Sequence, residues 1–170
     1  MDNLGSTFIL TARLDAKSQG FFNEMRSSYF PPELNLLNAH LTLFHKLRDT
    51  EETKKILSGL NQKPIKAIVY EIKNIGHGVA YFIDSPELSQ IHRYLQQQFL
   101  PNLSLQDQQK IRPHITIQNK VKPEKARELL KMLQPEFKSF EIAIQGLDLW
   151  YYLNGPWEHH CYFSFNVKAK

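Results

Sequence analysis

Two short segments carry the residue types that acid–base chemistry needs: His40-Leu41-Thr42-Leu43 and His114-Ile115-Thr116-Ile117. On an extended strand, side chains two apart share a face. In each segment the imidazole and the hydroxyl therefore point one way and the two apolar residues point the other. An imidazole has an ordinary pKa near 6.5, so one copy can act as general base while the other acts as general acid. Set on opposite sides of a phosphate, the pair suits in-line displacement at phosphorus. The two threonine hydroxyls can donate to the non-bridging oxygens, where negative charge accumulates. With those donors and a cationic imidazole in that role no metal ion is required, and no cofactor is expected.

The same parity extends each polar face. Phe44 and Lys46 follow the first histidine at even spacing, and Gln118 and Lys120 follow the second. They are candidate substrate contacts, as are Arg13 and Tyr81 on strands near the inferred cleft. Trp150, Tyr151, Tyr152 and Trp157 crowd the last hairpin, where an aromatic face such as that of Trp157 can stack on a nucleobase. His45 has the opposite parity to His40 and is read as structural. His77, beside a turn, and His92, in a helix, are expected at the surface. In His159-His160-Cys161, adjacent strand positions face opposite ways, so no set of three metal ligands forms.

The elements that must position these residues follow from local pattern. Strands are expected over Thr7–Leu14, Leu37–Lys46, Ile65–Ile75, His77–Asp84, Ile111–Lys120, Phe140–Tyr152 and Glu158–Val167. Helices are expected over Ala16–Ser28, Glu51–Leu60, from Pro86 to about Leu100, and Pro123–Leu133. Asp49 or Thr50 caps the second helix and Ser85 the third. The two motif histidines lie 74 residues apart. That offset also aligns Phe8 with Phe82, Ile9 with Ile83, Lys46 with Lys120, Ile56 with Leu130 and Ile68 with Ile142. A period of this length is too long for a solenoid repeat. It points instead to one α+β domain built as a pseudo-twofold duplicate, roughly 7–76 and 81–150, with a closing strand at 158–167 and a site on the axis between the copies.

Bulk properties narrow the setting. The chain has 170 residues, 42% hydrophobic and 22% charged, as expected for one soluble globular domain. Its net charge of +4 is spread along the chain rather than gathered into runs, so charge alone does not mark a nucleic-acid surface. No leader pattern and no apolar run of membrane-spanning length is present. A single cysteine, Cys161, excludes an internal disulfide framework and suits a reducing, cytoplasmic setting. A monomer is expected.

The paired tetrads resemble those of the 2H phosphoesterase superfamily, in its 2′-5′ RNA ligase and cyclic phosphodiesterase branch. Arg112-Pro113, directly before the second tetrad, is similar to the lead-in of that family. The resemblance implies two antiparallel sheets facing across a central cleft, with helices outside. It implies hydrolysis of 2′,3′-cyclic phosphates on RNA ends or small cyclic nucleotides, with His40 and His114 as the acid–base pair and Thr42 and Thr116 as phosphate donors. Some relatives join or cleave 2′-5′ linkages, which is the second reading. A third is a non-catalytic module that binds RNA termini. Phe44-His45-Lys46 and Gln118-Asn119-Lys120 differ from the aromatic-glycine or arginine ending of many RNA-acting members.

Overall fold

The computed structural model describes residues 6–166. β1 (Thr7–Leu14) leads into α1 (Ala16–Tyr29), whose first turn is capped by the Asp15 carboxylate accepting from the Ser18 N–H. A 3₁₀ turn at Pro32–Leu34 precedes β2 (Leu41–Arg48), and Thr50 caps α2 (Glu51–Ser58). β3 (Ile65–Asn74) turns through Gly76, at φ 100°, into β4 (Val79–Asp84). Ser85 caps α3 (Pro86–Phe99), and β5 (His114–Gln118), α4 (Pro123–Leu133), β6 (Phe140–Tyr152) and β7 (Trp157–Ser164) complete the order. Val167, the expected end of the last strand, lies outside the described residues. No helix among the described residues is long and apolar enough to cross a membrane.

The motif strands begin later than their sequence pattern suggests, and each has a local cause. Before β2, the backbone of Ala39 is held by side chains of α1: its N–H donates to Asn23 and its carbonyl accepts from Gln19. Before β5, Pro113 has no N–H to give a ladder.

The α+β class and the antiparallel pairing are as expected. All seven strands form one hydrogen-bonded sheet, in the order β2-β1-β6-β3-β4-β5, with β7 added beside β6. The long strand β6 joins its halves. β1 runs along one edge, while β3 and then β7 pair along the other. The two facing sheets of the expectation are thus fused through β6. The outermost strands, β2 and β5, return into contact, so the sheet curls around its apolar face. Phe8, Leu10, Leu41, Ile115, Ile117, Leu147 and Leu149 belong to the single core that this face buries.

The two halves share one pairing pattern, with β2-β1-β6 arranged like β5-β4-β3. Thr11 pairs with Thr42 as Ala80 pairs with Thr116. Thr11 and Ala80 are 69 residues apart, whereas Thr42 and Thr116 are 74 apart. The sequence matches of Phe8 with Phe82 and Ile9 with Ile83 are therefore out of register, because the connection from β4 to β5 is the longer one. By pairing, Phe82 occupies the place of Arg13.

A tight backbone contact fixes the end of β5. A Cβ on Gly78 would land on the Gln118 carbonyl and on Asn119. Gly78→Ala should cost about 2 kcal/mol through overpacking, which lowers Tm by roughly 4–8 °C in a chain of this size. An unchanged melting curve would show that β5 is not pinned there.

Candidate active site

His40 stands immediately before β2, and His114 opens β5. Their rings are fixed alike. His40 Nδ1 lies 2.9 Å from the carbonyl of Asn38, and His114 Nδ1 lies 2.7 Å from that of Arg112. A carbonyl only accepts, so each Nδ1 carries the hydrogen and the neutral ring presents its lone pair at Nε2. Each ring also rests on an aromatic one, His40 on Trp157 (centroids 4.5 Å apart) and His114 on Phe82 (5.3 Å).

Directly after each threonine, the register shifts. Leu10 faces Phe44 while Thr11 faces Thr42, and Val79 faces Gln118 while Ala80 faces Thr116. Each motif strand therefore carries one extra residue at the same point, Leu43 in β2 and Ile117 in β5. Such a bulge reverses parity beyond it. Leu43 and Phe44 are both buried, and so are Ile117 and Gln118. Two expected substrate contacts are thereby corrected. Phe44 stacks on His92 in the core, and Gln118 points inward, its Oε1 buried without a partner among the described residues. Thr42 and Thr116, ahead of the bulge, stay half-buried.

Three further expectations change, those for Lys120, Tyr81 and His92. Lys120 lies past the end of β5 in a left-handed turn, φ 61°, which breaks its parity with His114. Lys46 is exposed, and its backbone N–H, like that of His45, donates to the buried Asp107 carboxylate. Tyr81 is 3% exposed, among Phe22, Phe137 and Phe140, and burial pushes its phenol up to about 12. It faces the core because its strand partner is Ile115 rather than the histidine. His92 is 2% exposed rather than at the surface, its Nε2 donating to the carbonyl of the bulge residue Leu43.

Arg13 and Trp157 do reach the site. Together with Thr11, Asn38, His40, Asp148 and Trp150 they line a cleft of about 480 Å³. Arg13 is not free there, since Asp148 binds it through two oxygens at 3.0 and 2.7 Å and also accepts from His159 Nε2 at 2.7 Å. Among the described residues no three His, Cys, Asp or Glu side chains gather as a metal site.

Burial holds the His40 imidazole down at about 4, despite the opposing bond to Asn38, and the positive charge of Arg26 adds to the effect. Near neutral pH His40 is thus an unprotonated base with its lone pair on Nε2. Arg26 does not stand out as a site residue in the sequence. Its one signal there is the spacing of Gln19, Asn23 and Arg26, a polar stripe at i, i+4 and i+7 on one face of α1.

A family model described as the 2′-5′ RNA ligase superfamily matches residues 14–156, a span that includes both motifs. No curated protein matches by sequence. Among solved structures, TT0787 of Thermus thermophilus is similar with a TM-score of 0.65 at 14% identity, over 96% of this chain and 100% of that one. E. coli LigT complexed with 3′-AMP is similar with a TM-score of 0.61 at 18% identity, over 95% and 98%. A protein described as a phosphoesterase has a TM-score of 0.60 at 18% identity, also over 95% and 98%. At these identities the likeness is one of fold.

The depressed His40 value has a consequence for stability. The unfolded imidazole titrates near 6.5, so between there and about 4 the unfolded chain binds a proton that the folded chain refuses. Stability is complete above this window and falls as pH drops through it, by at most roughly 3 kcal/mol from this residue. Buried His92, also held down, acts in the same direction. Urea denaturation at pH 7 and pH 4.5 should show His40→Gln losing less stability than the wild type. Equal losses would mean that His40 is not desolvated.

Proposed function

The chain belongs to the 2′-5′ RNA ligase superfamily, and from that membership we propose that it hydrolyses 2′,3′-cyclic phosphates on RNA ends or small nucleotides without a metal ion. The observation that carries this reading is the matched pair of histidines, each tied through Nδ1 to the carbonyl two residues upstream, each with Nε2 available. LigT, alike in fold, has been crystallised complexed with 3′-AMP, ATP, NADP+ and phosphate. That range supports a nucleotide with a phosphate as the ligand class.

In the proposed step, His40 Nε2 takes a proton from water as its oxygen attacks phosphorus. The P–O3′ bond breaks, and His114 delivers a proton to the departing 3′-oxygen, leaving a 2′-phosphate. His40 ends protonated and His114 neutral, and exchange with solvent restores both. The unprotonated state of His40 favours it as the base. Thr42 and Thr116 donate to the non-bridging oxygens, and Trp157, against His40, offers a face for the base. The single thiol, Cys161, suits a cytoplasmic site of action.

Alanine at His40 or at His114 should lower turnover of a 2′,3′-cyclic nucleotide about 10²- to 10⁴-fold, with an unchanged circular dichroism spectrum. Wild-type turnover should persist in EDTA. Full activity in either variant, or loss in EDTA that a divalent ion restores, contradicts the mechanism. The acid limb of kcat/KM should lie near pH 4, since that constant reports the free enzyme, and a limb at 6.5 would remove His40 as the base. The superfamily's name favours a second reading, cleavage or joining of 2′-5′ linkages. A 2′-5′ dinucleotide turned over faster than the cyclic phosphate would support it.

A further inference from the structure

Arg26 is only 5% exposed, in the last turn of α1. Guanidinium groups are seldom this buried without a carboxylate, because a lone charge out of water costs several kcal/mol. Among the described residues, none of the ion pairs includes Arg26. Its contacts are neutral. Nε donates to Asn35 Oδ1 at 2.7 Å, Nη1 reaches the Thr116 carbonyl at 3.4 Å, and the group lies 4.0 Å over the Phe30 ring. These partners aim the guanidinium without cancelling its charge.

Its position links the two motifs. Thr116 belongs to the second motif, and one of its backbone atoms is an Arg26 partner. One and two turns earlier on the same face of α1, Asn23 and Gln19 hold the N–H and carbonyl of Ala39, the residue before His40. Of the other basic side chains near the motifs, Arg13 is neutralised by Asp148, Lys46 and Lys120 are exposed, and Arg112 lies over the Phe82 ring on the outer side of His114.

We propose that Arg26 is a positioning residue, the uncancelled positive charge against which a phosphate is held between the two motifs. This rests on the reading of the cleft as a phosphodiesterase site. Arg26 stands behind Asn35, which lines the cleft, and its charge acts on an anion there through that wall. Until the phosphate arrives, the same charge works against protonation of His40, together with His114 from β5 and His45 from β2. The ion pair that lines the cleft, Arg13 with Asp148, contributes no net charge.

Two readouts test this without using turnover, so a failure of catalysis would leave them standing. In Arg26→Gln, NMR titration should show the His40 pKa rising by about one unit, as expected for losing a nearby charge at protein dielectric. Inorganic phosphate should bind about tenfold more weakly, while Arg26→Lys keeps most of the affinity. An unchanged His40 pKa or an unchanged phosphate affinity in folded Arg26→Gln overturns the proposal. Should that variant not fold, the wild type decides. Its Arg26 guanidinium ¹⁵N resonances should shift as phosphate is titrated, and resonances that stay fixed at saturation overturn it equally.

Discussion

In an antiparallel pair the facing of each side chain is inherited from the residue two before it, and one extra residue reverses the facing beyond it until a second shift restores it, as happens in β2 before Leu47. Both motif strands carry that extra residue at the same point, immediately after the threonine. Ahead of the bulge, histidine and threonine look outward from the core. Behind it, Phe44 and Gln118 turn inward although their spacing says the opposite. The bulge in β2 is itself secured. His92 of α3 donates to the carbonyl of Leu43, and the buried Asp107 carboxylate accepts from the N–H groups of His45 and Lys46. Burial works against the charge on Asp107, but these donors hold its carboxyl below the ordinary range.

Helices are exchanged between the halves in the same spirit. α1 follows the first strand of the first half, yet it packs on β5 of the second and bonds Thr116. α3 belongs to the second half, yet its His92 bonds β2 of the first. Each motif strand, an edge of the curled sheet, is therefore held by a helix from the opposite half. The site's electrostatics depend on this exchange. Burial first, and the charge of Arg26 second, keep the His40 imidazole neutral at physiological pH. The carboxylate of Asp148, in turn, accepts from both Arg13 and His159.

Local sequence features specify the elements well, because capping and strand pattern depend on near neighbours. Ser85 with Pro86, Pro123 and the long apolar alternation of β6 mark element ends to within a residue. The His/Thr quartet is legible for the same reason, since parity holds over two residues. Legibility ends where a partner strand intervenes. A bulge has no local signature in Thr-Leu-Phe or Thr-Ile-Gln, so simple parity puts Phe44 and Gln118 in the wrong surroundings, and Lys120 falls past the end of β5. Tyr81 defeats it because its facing is set by pairing with Ile115, and His92 because its acceptor lies 49 residues away in β2. The repeat reads as a constant offset, and the longer connection from β4 to β5 hides that Phe82 takes the place of Arg13. Arg26 escapes notice because a polar stripe on a helix ordinarily faces solvent.

The two-histidine mechanism requires a phosphate held between two equivalent nitrogens. A crystal structure with a bound 2′-nucleotide product tests it most directly. The phosphate should lie within hydrogen-bond reach, about 2.6–3.2 Å, of Nε2 of both His40 and His114, with Thr42 and Thr116 on its remaining oxygens. A phosphate that touches one motif alone, or that binds outside the space between β2 and β5, would contradict the two-histidine mechanism.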